Sequence, residues 1–331
     1  MGVYVIHPLS FVETKGQRTN DKGSGTKDKG QMPYIKVRGV EHYYEWIKKP
    51  SDTEEKPVMV FIHGWAGSGR YWQRTAHALS EQFDCLIYDL RGFGRSRGRP
   101  TVAKASESVV ESVESHSPQA ELEAIRELTY ELEEYADDLV TLLDELDIQR
   151  VYINAHSMGA SIATLFLNRY PQRVERAVLT CSGIFEYDEK AFTAFHKFGG
   201  YVVKFRPKWL EKIPFIDRMF MARFLYRSIA RAERQAFLQD FLIADYDAAL
   251  GTIFTSVSKA ASELMPQEFA KLTVPTLLVA GEYDKIIPAQ MGRQAAALND
   301  KVEFCLIPDT AHFPMLEDAA TYLIRVRQFL Q

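Results

Sequence analysis

The chain has 331 residues, of which 46% are hydrophobic and 25% are charged, and its formal net charge is −4 at pH 7. This length and composition are typical of a globular protein made of one body and an insert. The small negative charge excludes a general affinity for nucleic acid, and the absence of any run of 18 apolar residues excludes a transmembrane helix.

The first predicted elements are a tail and a hairpin. The N-terminal residues lack the basic start and long apolar core of a signal peptide. Residues 13–32 are rich in Lys, Gly, Asp, Ser and Thr, a composition that buries too little apolar surface to fold. We therefore expect 1–33 to form a mobile tail. Two short strands then flank Gly39, and they are expected to pair as an antiparallel hairpin at one edge of a sheet.

A glycine-rich loop, His63 to Gly69, follows the next buried strand. It contains neither Gly-x-Gly-x-x-Gly nor a Gly-Lys-Ser/Thr ending, so we discount a nucleotide phosphate site. Its position suits it instead to offer the backbone N–H of Trp65 to a negatively charged oxygen. The loop Asp89 to Ser96, after the fourth strand, is interpreted as a series of tight turns without a chemical role.

An acidic, serine-rich insertion, residues 100–127, precedes the next helix. It is long for a connection without structure, and we interpret it as a solvated excursion. The helix is expected to begin near Tyr130, because apolar side chains then recur at helical spacing. These side chains are Leu132, Tyr135, Ala136, Leu139, Leu142, Leu143 and Leu146.

Ser157 is the candidate nucleophile, because it lies between a predicted strand and a predicted helix. Small residues two positions before and after it, Ala155 and Gly159, suit the tight turn of a nucleophile elbow. The usual first residue is glycine, and Ala155 adds one methyl group. A serine that transfers acyl groups also needs donors for its oxyanion. We expect the N–H groups of Trp65 and Met158 to supply them.

The segment 184–270 is expected to form a helical cap domain over the site, with 34–183 and 271–331 as the catalytic domain. The segment is rich in aromatic residues, and four arginines at spacings of four, four and three would share one helix face. They are Arg223, Arg227, Arg231 and Arg234. This basic face is interpreted either as ordinary solvated surface or as a contact with an anionic membrane.

The candidate base and acid each follow one of the last two predicted strands. A serine nucleophile needs a base, and the base needs an orienting carboxylate. Asp284 and His312 lie on loops just beyond strands, and the chain order Ser157, Asp284, His312 suits such an apparatus. The alternative acids are Glu282, Glu186 and Asp188.

Taken together, these blocks resemble the α/β-hydrolase superfamily of serine hydrolases with an inserted helical cap, of the esterase and lipase kind. The matching blocks are His63-Gly64-Trp65, Asp89 to Ser96, Ala155 to Gly159, Gly281 to Asp284 and Ala311 to Pro314. Ala155 and Ala311 replace glycines that are usual in the family. The resemblance implies a catalytic Ser-His-Asp apparatus and identifies no substrate.

The fold class expected is α/β, with a mostly parallel, twisted eight-stranded sheet and helices on both faces. The strands are predicted at 34–39, 42–47, 57–63, 84–89, 151–156, 177–182, 276–281 and 302–307. The three cysteines lie in predicted strands and suit a reducing compartment. They are Cys85, Cys181 and Cys305. We expect a cytoplasmic protein with a peripheral membrane contact.

The leading hypothesis is a serine hydrolase that cleaves a small apolar carboxylic ester through an acyl-enzyme intermediate. Ser157 would attack, His312 would act as base and Asp284 would orient it. No cofactor is expected, and no metal, because His, Cys and carboxylates show no ligand spacing. The alternatives are a thioesterase or carbon–carbon bond hydrolase, a cofactor-free haloperoxidase-like enzyme, and a non-catalytic ligand-binding protein on the same fold.

Overall fold

A sheet of eight strands forms the centre of the computed structural model, which describes residues 33–48, 56–96 and 128–331. The strands are β1 (Tyr34–Val37), β2 (Val40–Ile47), β3 (Val58–Ile62), β4 (Asp84–Tyr88), β5 (Val151–His156), β6 (Val174–Thr180), β7 (Thr276–Gly281) and β8 (Val302–Ile307). Their order across the sheet is β1-β2-β4-β3-β5-β6-β7-β8. β2 pairs antiparallel with β1 and with β4, and the remaining neighbours are parallel. The predicted fold class and edge hairpin are confirmed.

Eleven α-helices accompany the sheet in the described ranges. They are α1 (Gln73–Leu79), α2 (Leu132–Glu145), α3 (Met158–Arg169), α4 (Glu189–Lys204), α5 (Ile216–Met221), α6 (Arg231–Ile243), α7 (Tyr246–Ser256), α8 (Lys259–Lys271), α9 (Ala289–Ala296), α10 (Pro314–Glu317) and α11 (Ala319–Leu330). Short 3₁₀ helices occur at Gly69–Trp72, Pro171–Arg173 and Lys208–Lys212. None of the helices in the described part of the chain has the length and apolar content needed to cross a bilayer.

The central strands are apolar on both faces because two hydrophobic layers cover the sheet. On β3, Val60 and Ile62 belong to one layer, whereas Met59 and Phe61 belong to the other. This alternation follows from the two-residue period of a strand. Helices α2 and α3 contribute to the first layer, and α1 and α11 contribute to the second. The carboxyl ends of the parallel strands lie at one edge of this sheet, between the two hydrophobic layers.

Helix α2 agrees with its predicted pattern. It begins at Leu132, two residues after the expected start, and its predicted apolar positions from Leu132 to Leu143 are all buried. The segment before it, residues 100–127, lies outside the described residues. So does the predicted tail as far as residue 32.

Five helices, α4 to α8, occupy the segment between β6 and β7. This agrees with the helical character predicted for the segment. The prediction that four arginines share one helix face is wrong. Arg223 and Arg227 lie in the connection between α5 and α6, and Arg231 is the first residue of α6. A new helix begins there because the Glu233 carboxylate accepts the N–H of Ala230 at 3.0 Å, a capping contact. The assignment of this segment as a separate cap domain stays a prediction.

Two of these arginines form tertiary ion pairs instead. Arg227 lies 3.0 Å from the carboxylate of Asp318, and Arg234 lies 3.0 Å from that of Asp217. Arg234 and Asp217 are largely buried, so their charges are partly shielded from solvent. Arg234 therefore joins α6 to α5, Arg227 joins the segment to Asp318 before α11, and the two do not form a basic stripe.

Candidate active site

Ser157 occupies a strained turn between β5 and α3. Its φ of 55° and ψ of −124° lie in a region that costs a non-glycine residue about 1–3 kcal/mol. The Ser157 N–H donates to the carbonyl of Thr180 at 2.9 Å, which holds the turn in place. A Cβ atom on Gly159 would lie 2.4 Å from the carbonyl oxygen of His63, so that position requires glycine. The fully buried Ala155 fits at the other flank.

Three predicted site residues form one hydrogen-bonded series. The Ser157 Oγ lies 3.1 Å from His312 Nε2, and His312 Nδ1 lies 2.8 Å from Asp284 Oδ2. The second carboxylate oxygen of Asp284 accepts the N–H groups of Ile286 and Ile287 at 2.7 and 3.0 Å. Burial alone would raise the pKa of Asp284, but His312 and these two amides outweigh burial and lower it. An ionised Asp284 accepts the Nδ1–H of His312, which leaves Nε2 free to accept a proton from serine.

The alternative acids do not contact His312. Glu282 accepts the N–H of Asp309 at 3.0 Å. Glu186 and Asp188 are exposed to solvent. Asp284 is therefore the carboxylate that the structure brings to the histidine.

The glycine-rich loop passes directly against the nucleophile. A Cβ atom on Gly64 would lie 3.1 Å from the Cβ of Ser157, a distance tighter than most such contacts. The indole N–H of Trp65 donates to the carbonyl of Ala249 at 2.9 Å, which anchors the loop to α7. Met158 is the first residue of α3, where backbone N–H groups have no partner within the helix. No backbone hydrogen bond of the Trp65 or Met158 N–H occurs among the loop and turn contacts of the described residues, and their role as oxyanion donors stays a prediction.

A buried network that the sequence analysis missed joins this loop to the histidine loop. The Gly64 N–H donates to the Tyr71 hydroxyl at 2.6 Å, and that hydroxyl lies 3.0 Å from His156 Nδ1. His156 Nε2 lies 2.7 Å from the carbonyl oxygen of His312. Burial lowers the pKa of His156 well below its usual range, and the nearby His312 lowers it further. Because His156 is neutral, its Nε2–H donates to that carbonyl and its Nδ1 accepts from Tyr71.

Glu317 forms a second connection that the sequence did not indicate. One of its carboxylate oxygens accepts the N–H of Ala311 at 2.9 Å. The other accepts the N–H groups of Tyr226 and Arg227, both at 2.7 Å. Hydrogen bonds to an ionised group are stronger than those between neutral groups. The loop that carries His312 is therefore tied to the helical segment.

A row of aromatic rings extends from the glycine-rich loop to the histidine. The Trp65 and Phe241 ring centroids are 6.1 Å apart, and those of Phe241 and Phe220 are 5.0 Å apart. Phe224 lies 6.1 Å from Phe220 and also 6.1 Å from the ring of His312. We call these four side chains, Trp65, Phe220, Phe224 and Phe241, the aromatic wall. It places apolar surface beside the serine–histidine pair.

One group of potential metal ligands occurs beside this site. His156, Cys181 and His312 place one ligand atom each within 4.8 Å of one another. Both nitrogens of each imidazole already have hydrogen-bond partners, and burial raises the pKa of the Cys181 thiol well above its usual range. A metal would have to break these bonds and bind a buried thiolate, so this group does not fit a metal site.

The tyrosine in the buried network gives a direct test of its role. Tyr71→Phe removes the acceptor of the Gly64 N–H and the donor to His156. A buried polar group without a partner costs about 1–3 kcal/mol. We expect the free energy of unfolding in urea to fall by at least this amount. We also expect kcat/KM for a hydrolysed ester to fall about tenfold or more, because small displacements of reacting groups lower rates strongly.

Tyr88→Phe is the matched control. The Tyr88 hydroxyl is equally buried, but it has no hydrogen-bond partner in the described part of the chain. Its removal is expected to leave both stability and kcat/KM nearly unchanged. Equal losses in the two variants would show that Tyr71 acts through packing alone.

Comparison with known proteins agrees with this architecture. A sequence model of the alpha/beta hydrolase fold matches residues 57–319. The uncharacterized hydrolase YugF of Bacillus subtilis (strain 168) is 21% identical over 267 residues, which cover 79% of this chain and 84% of that protein. The enol-lactonase of Burkholderia xenovorans LB400 superposes with a TM-score of 0.66 at 18% identity, over 90% of this chain and 99% of that one. An esterase from Exiguobacterium antarcticum gives a TM-score of 0.67 at 16% identity, over 90% and 98%. At these identities the solved structures show a shared fold.

Proposed function

This chain belongs to the α/β-hydrolase fold family of enzymes, and we propose that it is a serine hydrolase that cleaves an apolar carboxylic ester. The observation that carries the proposal is the hydrogen-bonded series from Ser157 through His312 to Asp284. A buried carboxylate, an imidazole with a fixed tautomer and a hydroxyl within reach are the parts that activate a serine. A strained elbow that exposes the hydroxyl is consistent with the same role.

The acylation half-reaction follows from these positions. His312 Nε2 removes the hydroxyl proton of Ser157 while Oγ attacks the ester carbonyl carbon. The N–H groups of Trp65 and Met158 would stabilise the oxyanion of the tetrahedral intermediate, and ionised Asp284 stabilises the imidazolium. The carbon–oxygen bond to the alcohol then breaks, His312 donates its proton to the departing alkoxide, and an acyl-serine remains.

Water completes the cycle by the reverse sequence. His312 removes a proton from water as the water oxygen attacks the acyl-serine carbonyl. The second tetrahedral intermediate collapses, its bond to Ser157 Oγ breaks, and His312 returns the proton to the serine. The acid product leaves and the free enzyme is restored.

The preference for an apolar ester rests on the aromatic wall beside the reacting atoms. A hydrocarbon chain that contacts these rings gains about 0.8 kcal/mol for each methylene removed from water. The names of two structural neighbours, an enol-lactonase and an esterase, also describe enzymes that cleave acyl–oxygen bonds. Thioester or carbon–carbon cleavage would use the same residues with a different leaving group, and attack by peroxide on the acyl-serine would give a haloperoxidase-like reaction.

A chain-length series of p-nitrophenyl esters tests the proposal. We expect kcat/KM to rise about fourfold per added methylene, because this factor corresponds to the transfer free energy of one methylene. The rise should stop once the acyl chain covers the aromatic wall. An ester of equal length that ends in a carboxylate is the control, and it should be hydrolysed poorly. A fluorophosphonate should label Ser157. Labelling at Ser157 without turnover of any ester would contradict ester hydrolysis and favour carbon–carbon cleavage or ligand binding.

A further inference from the structure

Large hydrophobic side chains are exposed together on the outside of the helical segment. We call them the outer aromatic patch, and they are between 38% and 75% exposed. The patch consists of Phe195, Phe198, Tyr201, Phe205, Trp209, Ile213, Phe215 and Met219. A hydrophobic group of this extent on one segment marks an interaction site more often than a solvated surface.

Helix α4 shows that the patch faces away from the protein core. Phe195, Phe198 and Tyr201 recur every three residues, so they share one side of the helix. The opposite side packs on α7, where a Cβ on Gly199 would lie 3.1 Å from the side chain of Ile253. Val203 on that side is buried. Phe195, Phe198 and Tyr201 therefore lie on the side of α4 that is turned away from α7.

The patch continues from α4 onto the next elements. The Phe205 and Trp209 ring centroids are 6.5 Å apart, and this contact joins the end of α4 to the 3₁₀ helix Lys208–Lys212. That 3₁₀ helix in turn contacts α5, which carries Met219. The exposed hydrophobic side chains thus form a connected surface.

Five exposed basic residues each directly precede a residue of the patch in the sequence. Lys197, Lys204, Lys208, Lys212 and Arg218 are all exposed. Over residues 190–234 the sequence contains eleven lysines and arginines but only three acidic residues, although the whole chain has a net charge of −4. One of those three acids, Asp217, is buried against Arg234. Residues 190–234, which carry the patch, are therefore locally positive on a protein that is negative overall.

We propose that the outer aromatic patch rests on the surface of an anionic lipid bilayer. Aromatic side chains are favoured at the level of the lipid headgroups, and each nearby lysine gains free energy from anionic lipids. Lysine side chains can also extend their charged ends to the headgroups while their methylenes stay in apolar contact. The membrane contact expected from the sequence is therefore assigned to aromatic and lysine side chains, and the ion-paired Arg227 and Arg234 take no part.

A second copy of the chain is a less suitable occupant. Two copies that met through this patch would bring their lysines face to face, and like charges in close contact cost free energy. An anionic lipid surface supplies the opposite charge over the whole patch. Charge complementarity thus favours the membrane over self-association.

The patch lies next to the active site in sequence and in space. Met219 belongs to the patch, whereas Phe220, the next residue, belongs to the aromatic wall. A bilayer at the patch would hold apolar esters close to the wall, a consequence that rests on the proposed function. The docking itself does not depend on catalysis.

Co-sedimentation of the full chain with lipid vesicles tests the docking. Vesicles of phosphatidylcholine alone are compared with an equimolar mixture of phosphatidylcholine and phosphatidylglycerol. The Ser157→Ala variant is used so that lipid hydrolysis cannot alter the vesicles. We expect binding to the anionic vesicles only. It should weaken with added salt, because the Debye length shortens from about 10 Å at 0.1 M to about 3 Å at 1 M.

Two sets of substitutions locate the surface. Lys197→Gln, Lys204→Gln and Lys208→Gln together should weaken binding about a hundredfold, or about fivefold per lysine. Phe198→Ser with Phe205→Ser should abolish it while the lysines remain. The matched control removes three exposed charges outside the helical segment, with Arg74→Gln, Lys301→Gln and Arg325→Gln, and should bind as before. Far-ultraviolet circular dichroism confirms that each variant is folded.

Three outcomes would overturn the proposal. The first is equal sedimentation with neutral and anionic vesicles, and the second is equal loss in the lysine variant and its control. The third is a dimer in solution that Phe198→Ser and Phe205→Ser dissociate, since the occupant would then be a second copy.

Discussion

Ser157→Ala is expected to lower kcat/KM for ester hydrolysis by about 10⁴–10⁶-fold, the loss that follows removal of a serine nucleophile. The substitution removes the only atom that can form the acyl-enzyme in the proposed mechanism, while His312 and Asp284 keep their mutual hydrogen bond. Steady-state kinetics with the best p-nitrophenyl ester measure the loss. Labelling by a fluorophosphonate should disappear in the same variant.

A glycine at this position separates catalysis from stability. The backbone of Ser157, with φ 55° and ψ −124°, is strained for alanine as much as for serine. Glycine adopts such conformations readily. Ser157→Gly should therefore be as inactive as Ser157→Ala, yet more stable by about 1 kcal/mol in urea denaturation. A lower free energy of unfolding for the glycine variant than for the alanine variant would contradict the inference that the backbone at Ser157 is strained.

Ser182→Ala is the control for both substitutions. The Ser182 hydroxyl is buried, and it has no hydrogen-bond partner among the residues that the structure describes. Its removal should leave ester turnover unchanged. Turnover by Ser157→Ala within about tenfold of the unaltered protein would exclude Ser157 as the nucleophile, because catalysis by the oxyanion donors alone is far weaker.

Local sequence patterns predicted the sheet well because each central strand is buried on both faces. Such strands are short apolar runs that end in turns, and this signal does not depend on distant parts of the chain. The small residues at the elbow were also predictable, since Gly159 faces the backbone of His63 and tolerates no side chain. β6 is the clearest departure, because it begins at Val174, three residues before the expected start.

The arginine spacing failed because spacing alone does not reveal where a helix begins. Positions four apart share a face only if one helix continues through them. Glu233 starts a new helix at Arg231, and Arg227 is held outside it by Asp318. The composition of the segment, which is basic and aromatic, does not depend on this geometry, and the membrane contact inferred from it stays a prediction.

Side-chain contacts across long sequence separations were not predictable. Tyr71 and His156 are 85 residues apart, and the contacts of Glu317 with Tyr226 span 91 residues. Nothing in the local sequence of a tyrosine or a glutamate distinguishes these positions. Their roles follow from tertiary packing, which brings three loops to the same edge of the sheet. The sequence likewise did not show which of Glu282 and Asp284 contacts His312, because this depends on the orientation of each side chain beyond β7.

Asp284→Asn should lower kcat by about 10⁴-fold, because the amide would hold the wrong tautomer of His312. The Asp284 Oδ1 atom accepts two backbone N–H groups, from Ile286 and Ile287. In the variant the amide oxygen must remain there, so its NH₂ group faces His312 Nδ1. That nitrogen then has to accept a hydrogen bond, and the imidazole proton moves to Nε2. An Nε2–H cannot remove the proton of Ser157, so the nucleophile is not activated.

Glu282→Gln is the matched control, since it makes the same chemical change two residues away. In the described part of the chain the Glu282 carboxylate accepts the N–H of Asp309, and a glutamine oxygen can replace it there. We expect kcat within about twofold of the unaltered protein, because exposed hydrogen bonds contribute little. KM should change little in either variant, since neither carboxylate lies in the aromatic wall. A large loss in Glu282→Gln with a small one in Asp284→Asn would reverse the assignment, and Glu282 would then be the acid that orients the histidine.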